Sequence, residues 1–138
     1  MAVYPIDYEK LTSLTTTYDA NKPIYMLNLL RFREKAEYAP EHAELAGTPC
    51  TGREAWTRYV TALHSGVLPP ESAVFFMSKV TAMIAGPQSE QWDDAAIVYY
   101  PTLEGFKNMV ESKVYKEKCF GHRFAALEDF RLVMLDKM

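Results

Sequence analysis

The apolar periods along this chain predict an α+β fold: a short helix, then strand, helix, strand, strand, helix, strand. Three stretches carry that prediction. Residues 24–33, "IYMLNLLRFR", alternate as a strand does, so Ile24, Met26, Asn28, Leu30 and Phe32 share one side. "TGREAWTRYVTAL" opens with a capping pattern and repeats its apolar residues at helical spacing. "DAAIVYYP" is a dense run of β-formers stopped by proline.

The elements follow in order. Residues 7–17 read as an amphipathic helix with Tyr8, Leu11 and Leu14 on one side, and "NKP" breaks the chain after it. Residues 34–50 form a polar connection, within which "EHAELAG" reads as a helical turn ended by Gly47. A connection this long inside a compact domain suits a lid or a partner contact. Thr51 followed by Glu54 is a capping box, and Trp56, Tyr59, Val60 and Leu63 then give one broad apolar face. Gly66, Pro69 and Pro70 end that helix.

"AVFFMSKVTAMIAG" is long enough for a bent or bulged strand, and "GPQSEQ" turns the chain after it. Beyond Pro101, Thr102 is placed to cap a helix, with Glu104 in its first turn. Leu103, Phe106, Met109 and Val110 supply that helix's buried stripe. Helical spacing resumes past a kink, from Tyr115 to Leu127, and "FRLVMLDKM" closes the chain as a strand. The reading is a single domain over residues 1–138, with a core from 23 to 138 and a helical extension over 1–22.

Without the extension, the order is that of a ferredoxin-like βαββαβ fold, an antiparallel sheet with helices on one face. The strands are apolar on both sides, so the open face needs a cover. A second copy of the chain supplies one economically, and a homodimer is expected.

Composition narrows the function. The chain is 49% apolar and 13% aromatic, enough for a real core. Net charge is −3 with acids and bases interspersed, so no basic face attracts nucleic acid. The basic cluster "KVYKEK" reads as a solvated helix face. Cys50 and Cys119 make neither a disulfide framework nor a metal knuckle and read as free thiols. "MAVYPIDYEK" lacks the pattern of a secretory signal, and no apolar run reaches the ~20 residues that span a bilayer. The expectation is a soluble cytoplasmic protein with no membrane partner.

Four stretches carry a family resemblance: "NLLRFR", "GREAWTRY", "GPQSEQWDDAAIVYYPTLEGF" and "ESKVYKEKCFGHRFAALEDFRL". Together, over residues 23–135, they resemble a domain-of-unknown-function family of the dimeric alpha-beta barrel superfamily. The family's closing pattern corresponds to Tyr115, His122, Arg123, Ala125, Ala126, Leu127, Asp129, Arg131 and Leu132. The chain departs from it at "LPPES", where relatives carry a Gly-rich turn, and at Ser112, Lys113 and Val114, where they carry Asp-Pro. The resemblance implies a dimeric barrel whose subunits each hold a small organic molecule between sheet and helices. Superfamily members include quinone-forming monooxygenases, polyketide cyclases, haem-degrading oxygenases and decarboxylases of aromatic substrates.

Candidate site residues follow from chemistry. Asn28 sits in an apolar row and needs a partner, which is either the core or a ligand oxygen. His122, beside Arg123 in the stretch that most resembles the family, is by that resemblance the best acid–base candidate of the three histidines. His42 reads as solvated and His64 as a helix C-terminal cap. Tyr99 and Tyr100 fall on opposite faces of their strand, and Tyr100 is taken as the catalytic candidate. Tyr59, Trp92, Tyr115, Arg31 and Arg123 are candidate substrate contacts. Arg31, Arg123 and Arg131 can hold a carboxylate or phenolate, or can equally pair with Glu128, Asp129 or Asp136.

No phosphate cradle, nucleophile elbow or dinucleotide fingerprint is present in the sequence. The expected function is a cofactor-independent, metal-free enzyme doing acid–base chemistry on an apolar aromatic or polyketide-like carbonyl compound. Cyclisation, isomerisation or decarboxylation through an enolate are the reactions in view. The alternatives are an oxygen-using monooxygenase of quinol or haem type and a non-catalytic dimer that binds a small molecule.

Overall fold

A computed structural model describes residues 4–138. Residues 1–3 of the expected N-terminal extension lie outside the described residues. The contacts gather into two compact units. One comprises the chain up to Arg31, Glu71–Glu104 and Asp129–Met138; the other comprises Phe32–Pro70 and Gly105–Glu128.

The first unit is built on a sheet of β1 (Ile24–Phe32), β2 (Ala73–Lys79), β3 (Asp94–Tyr100) and β4 (Leu127–Leu135). The strand order is β2-β3-β1-β4, with β3 antiparallel to both β1 and β2. With helices following β1 and β3, this is the expected α+β, ferredoxin-like arrangement. Opposite Ile24, Met26 and Asn28 stand Tyr100, Val98 and Ala96, so these six share a face. Ile24, Met26, Asn28 and Tyr100 on that face are buried.

The other face carries Tyr25, Leu27, Leu29, Ile97 and Tyr99, all only half-buried. On it the Tyr25 ring meets Phe75 edge-on at 5.0 Å and Tyr99 at 5.5 Å. The register of β2 slips between Val74 and Phe76, making Phe75 the extra residue of a bulge. Expectation and structure differ in length here. Lys79 pairs with Asp94, the first residue of β3, so residues beyond it have no strand left to pair with. Val80 adds one further bond, to the Asp93 carbonyl, and the rest of the apolar run to Gly86 is loop.

The N-terminal helix α1 (Tyr8–Leu14) is capped by the Asp7 carboxylate and stops three residues early. The Thr15 and Thr16 hydroxyls turn back onto the Thr12 and Ser13 carbonyls at 2.6 and 2.7 Å, which favours turns over more helix. Only Leu11 is buried; Tyr8 is exposed rather than part of an apolar side.

The second unit is helical. A 3-10 turn (Pro40–His42) leads into α2 (Ala43–Ala46), ended by Gly47 at φ 53°. Next comes α3 (Gly52–Leu63), whose Thr51–Glu54 capping box is complete. Then come α4 (Leu103–Glu111), α5 (Lys113–Lys118) and α6 (Phe120–Ala126). The expected kink is real. Ser112 accepts from the Tyr115 amide and donates to the Met109 carbonyl, closing one helix and opening the next. Helix α6 ends one residue before Leu127, and the last strand begins there rather than at Phe130. The Ala125 and Ala126 carbonyls accept from the Glu37 and Arg33 amides, so they bind the connection instead of a further helical turn.

Gly52 allows a close backbone approach in this unit. A Cβ there would collide with the Arg33 carbonyl and lie 2.7 Å from that of Ala126. Helix α3 therefore enters against bare backbone, and α6 packs along it.

Candidate functional site

The second unit gathers a polar cluster around His122. The ring is supplied by α6, and the residue is 9% exposed. Tyr38, from the long connection, brings its hydroxyl 2.7 Å from His122 Nδ1. Arg58, from α3, donates from Nη1 to the same hydroxyl at 3.2 Å. Its guanidinium is anchored on the connection by the Ala46 and Thr48 carbonyls, both at 2.8 Å. Burial, the Arg58 charge and the neighbouring His42 all hold His122 below its ordinary range, so the ring is kept neutral.

His42 corrects the sequence reading. Rather than standing in solvent, its ring packs edge-on to Phe120 at 5.9 Å and its Nδ1 is buried without a hydrogen bond. Gly121 permits this, since a Cβ there would lie 2.7 Å from the His42 ring. The expected role of His64 holds: it caps α3, with Nδ1 2.8 Å from the Val60 carbonyl.

A second cluster in the same unit is aromatic. The Tyr59 and Tyr115 hydroxyls meet at 2.9 Å, and the Tyr59 ring lies 4.9 Å from that of Trp56. The buried Arg123 guanidinium sits over Trp56 at 5.2 Å and over Tyr59 at 5.6 Å. A desolvated cation over electron-rich rings is favourable by up to about 2 kcal/mol. Four of the residues chosen from sequence, Tyr59, Tyr115, His122 and Arg123, thus belong to this unit.

The other four belong to the sheet unit. Asn28 is buried, and its Nδ2 donates to the Met26 carbonyl of its own strand at 3.2 Å. Opposite it on β3 stands Ala96. Tyr100 is buried on the same face, and Arg31 closes β1 on the other. Trp92 lies against the Arg131 guanidinium at 5.0 Å and on the wall of a cavity of about 620 Å³ that includes Leu29, Met83 and Pro87. Arg131 is paired with Asp129 at 2.9 Å and Glu90 at 3.3 Å.

Sequence reasoning missed Tyr38 and Arg58. Tyr38 lies in a stretch without periodicity, and Arg58 falls on the polar side of α3, where an arginine reads as solvated. No cluster of metal-ligating side chains is found among the described residues. Nor is any helix among them long and apolar enough to cross a membrane.

No family model matches the chain, and no curated protein matches it. Solved structures do. A crystal structure of methylated RPA0582 is 33% identical, with a TM-score of 0.79, over 100% of this chain and 97% of that one. A second structure of RPA0582, a Rhodopseudomonas palustris protein of unknown function, is 32% identical with a TM-score of 0.77, over 99% and 96%. The chain belongs to the same family as RPA0582.

Proposed function

We propose that the protein is a small-molecule enzyme whose own side chains supply acid–base chemistry on an apolar aromatic or polyketide-like carbonyl compound. The observation that carries this reading is the 2.7 Å contact between Tyr38 and a buried His122 held below its ordinary pKa. A neutral imidazole coupled to a phenol is equipped to move a proton near neutral pH. Arg123, stacked on Trp56 and Tyr59, offers positive charge beside an aromatic wall, which suits an enolate or phenolate.

The working form is a homodimer of the dimeric alpha-beta barrel type. Val74, Phe75, Phe76 and Met77 form a run of exposed apolar residues on β2, an edge strand, and the adjoining sheet face is only half-buried. A second copy presenting the same face covers both at once.

The test follows α-proton exchange of aromatic ketones and 1,3-dicarbonyl compounds in D₂O by proton NMR. The expected result is catalysed exchange that His122→Gln lowers by roughly 10²–10⁴-fold. Exchange no faster than buffer across the panel rejects the enzymatic reading. One observation favours a second reading, a dimer that binds a small molecule without turning it over: the Asn28 amide is already bonded within its own strand. Ligand retention without exchange is its signature.

A further inference from the structure

The three hydrogen-bonded side chains around His122 have a direction. Arginine has only donors, so at the Arg58–Tyr38 contact the phenol oxygen accepts. The phenol's own proton is then free to point at its other neighbour, Nδ1 of His122, 2.7 Å away. With the phenol as donor, Nδ1 accepts and the proton of a neutral ring sits on Nε2. Nε2 has no hydrogen-bond partner among the described residues. Arg58 is fixed in this role, because the Ala46 and Thr48 carbonyls hold its guanidinium in place.

We infer that Tyr38 and Arg58 are a wired proton source behind His122, which makes His122 an acid toward a ligand's carbonyl or enolate oxygen. This rests on the acid–base reading above and specifies which half of it His122 performs. As negative charge develops on the ligand oxygen, the Nε2–H bond breaks and an O–H bond forms. The Tyr38 O–H bond breaks in turn and a Nδ1–H bond forms. What remains is a neutral ring of the opposite tautomer and a Tyr38 phenolate beside the Arg58 cation. One proton has moved from Tyr38 to the ligand, and the reverse path restores it from solvent. The substrate class follows: the group recognised at His122 must be a hydrogen-bond acceptor that gains negative charge, not an ammonium or a hydroxyl donor.

The titratable and charged groups that bear on the ring are Tyr38 and His42 from the connection and Arg58 from α3. None is a carboxylate, so nothing in this group rewards an imidazolium while Tyr38 is neutral, and Arg58 and His42 oppose it.

The test is the tautomer itself, read from the ring nitrogen shifts of ¹⁵N-histidine-labelled protein. The His122 signals are assigned by their loss in His122→Gln. The wild type is expected to show a protonated Nε2 and a bare Nδ1, with a titration midpoint below the ordinary value of about 6.5. Arg58→Gln removes both the charge and the donor-only constraint, so the midpoint rises. Arg58→Lys keeps both, and the Nε2–H tautomer survives. Tyr38→Phe removes the phenol, and the two tautomers mix. A wild-type ring protonated on Nδ1 overturns the inference without any variant, as does a midpoint unmoved by Arg58→Gln. The measurement needs no substrate. An Nε2–H ring without α-proton exchange therefore leaves the wiring standing and removes only the enzymatic reading.

Discussion

Burial gives single residues of this protein a measurable chemistry. Desolvation, with Arg58 and His42 adding to it, lowers the His122 pKa in the folded state. As pH falls through about 6.5, the unfolded chain binds a proton at this position that the native chain refuses. Stability should therefore decline toward acid in that window, and be unaffected by this residue above it, where the ring is neutral in both states. Urea midpoints at pH 7.5 and 5.5 are expected to differ, and His122→Gln should shrink the difference. Cys119 gives the opposite sign. Complete burial raises its thiol to about 11 from 9.0, so stability is lost as pH rises across that interval. With a thiol reagent near pH 8, the half-buried Cys50 should label in the native protein while Cys119 waits for unfolding. Equal labelling rates would contradict its burial.

The start of α3 shows how an element is specified and where it is vulnerable. Thr51 and Glu54 satisfy each other's amides at 3.0 and 2.9 Å, and Thr51→Ala should cost about 1 kcal/mol. Gly52→Ala should cost more, about 1–3 kcal/mol, because the obstacle is the backbone of Arg33 and Ala126 and cannot swing aside. Thermal melts of the two variants test that ranking. The capping box could be read directly from sequence because both partners are local. So could the alternation of β1 and a kink ahead of Tyr115, though not its place at Ser112. Other boundaries could not. Nothing in "AALEDF" announces that the Ala125 and Ala126 carbonyls are claimed by amides of the distant connection. Nothing in "KVTAMIAG" shows that β3 starts only opposite Lys79. The site divides along the same line. His122 and Arg123 stood out because they fall in the stretch that carries the family resemblance, whereas Tyr38 reaches His122 across 84 positions of sequence, a separation no periodicity encodes.

At the scale of the whole molecule, the exposed run on β2 is the surface that the proposed dimer would cover. Phe76 is 56% exposed and Met77 72%, on a strand that ends the sheet among the described residues. Sedimentation velocity should find a dimer for the wild type. Phe76→Glu should give a folded monomer, since a charge at an exposed position disturbs the pairing and not the chain. A monomeric wild type would remove the second copy from the account. The kinship with RPA0582 extends over nearly the whole chain, so the same behaviour is expected there. The reading as a small-molecule enzyme rests on a ligand that the polar cluster can hold. Native mass spectrometry of the gently purified protein, wild type beside His122→Gln, tests it most directly. The account predicts a wild-type dimer carrying the mass of an organic carbonyl compound, and a variant of the same oligomeric state that retains much less of it. A monomer, or a bound mass indifferent to His122, would contradict it.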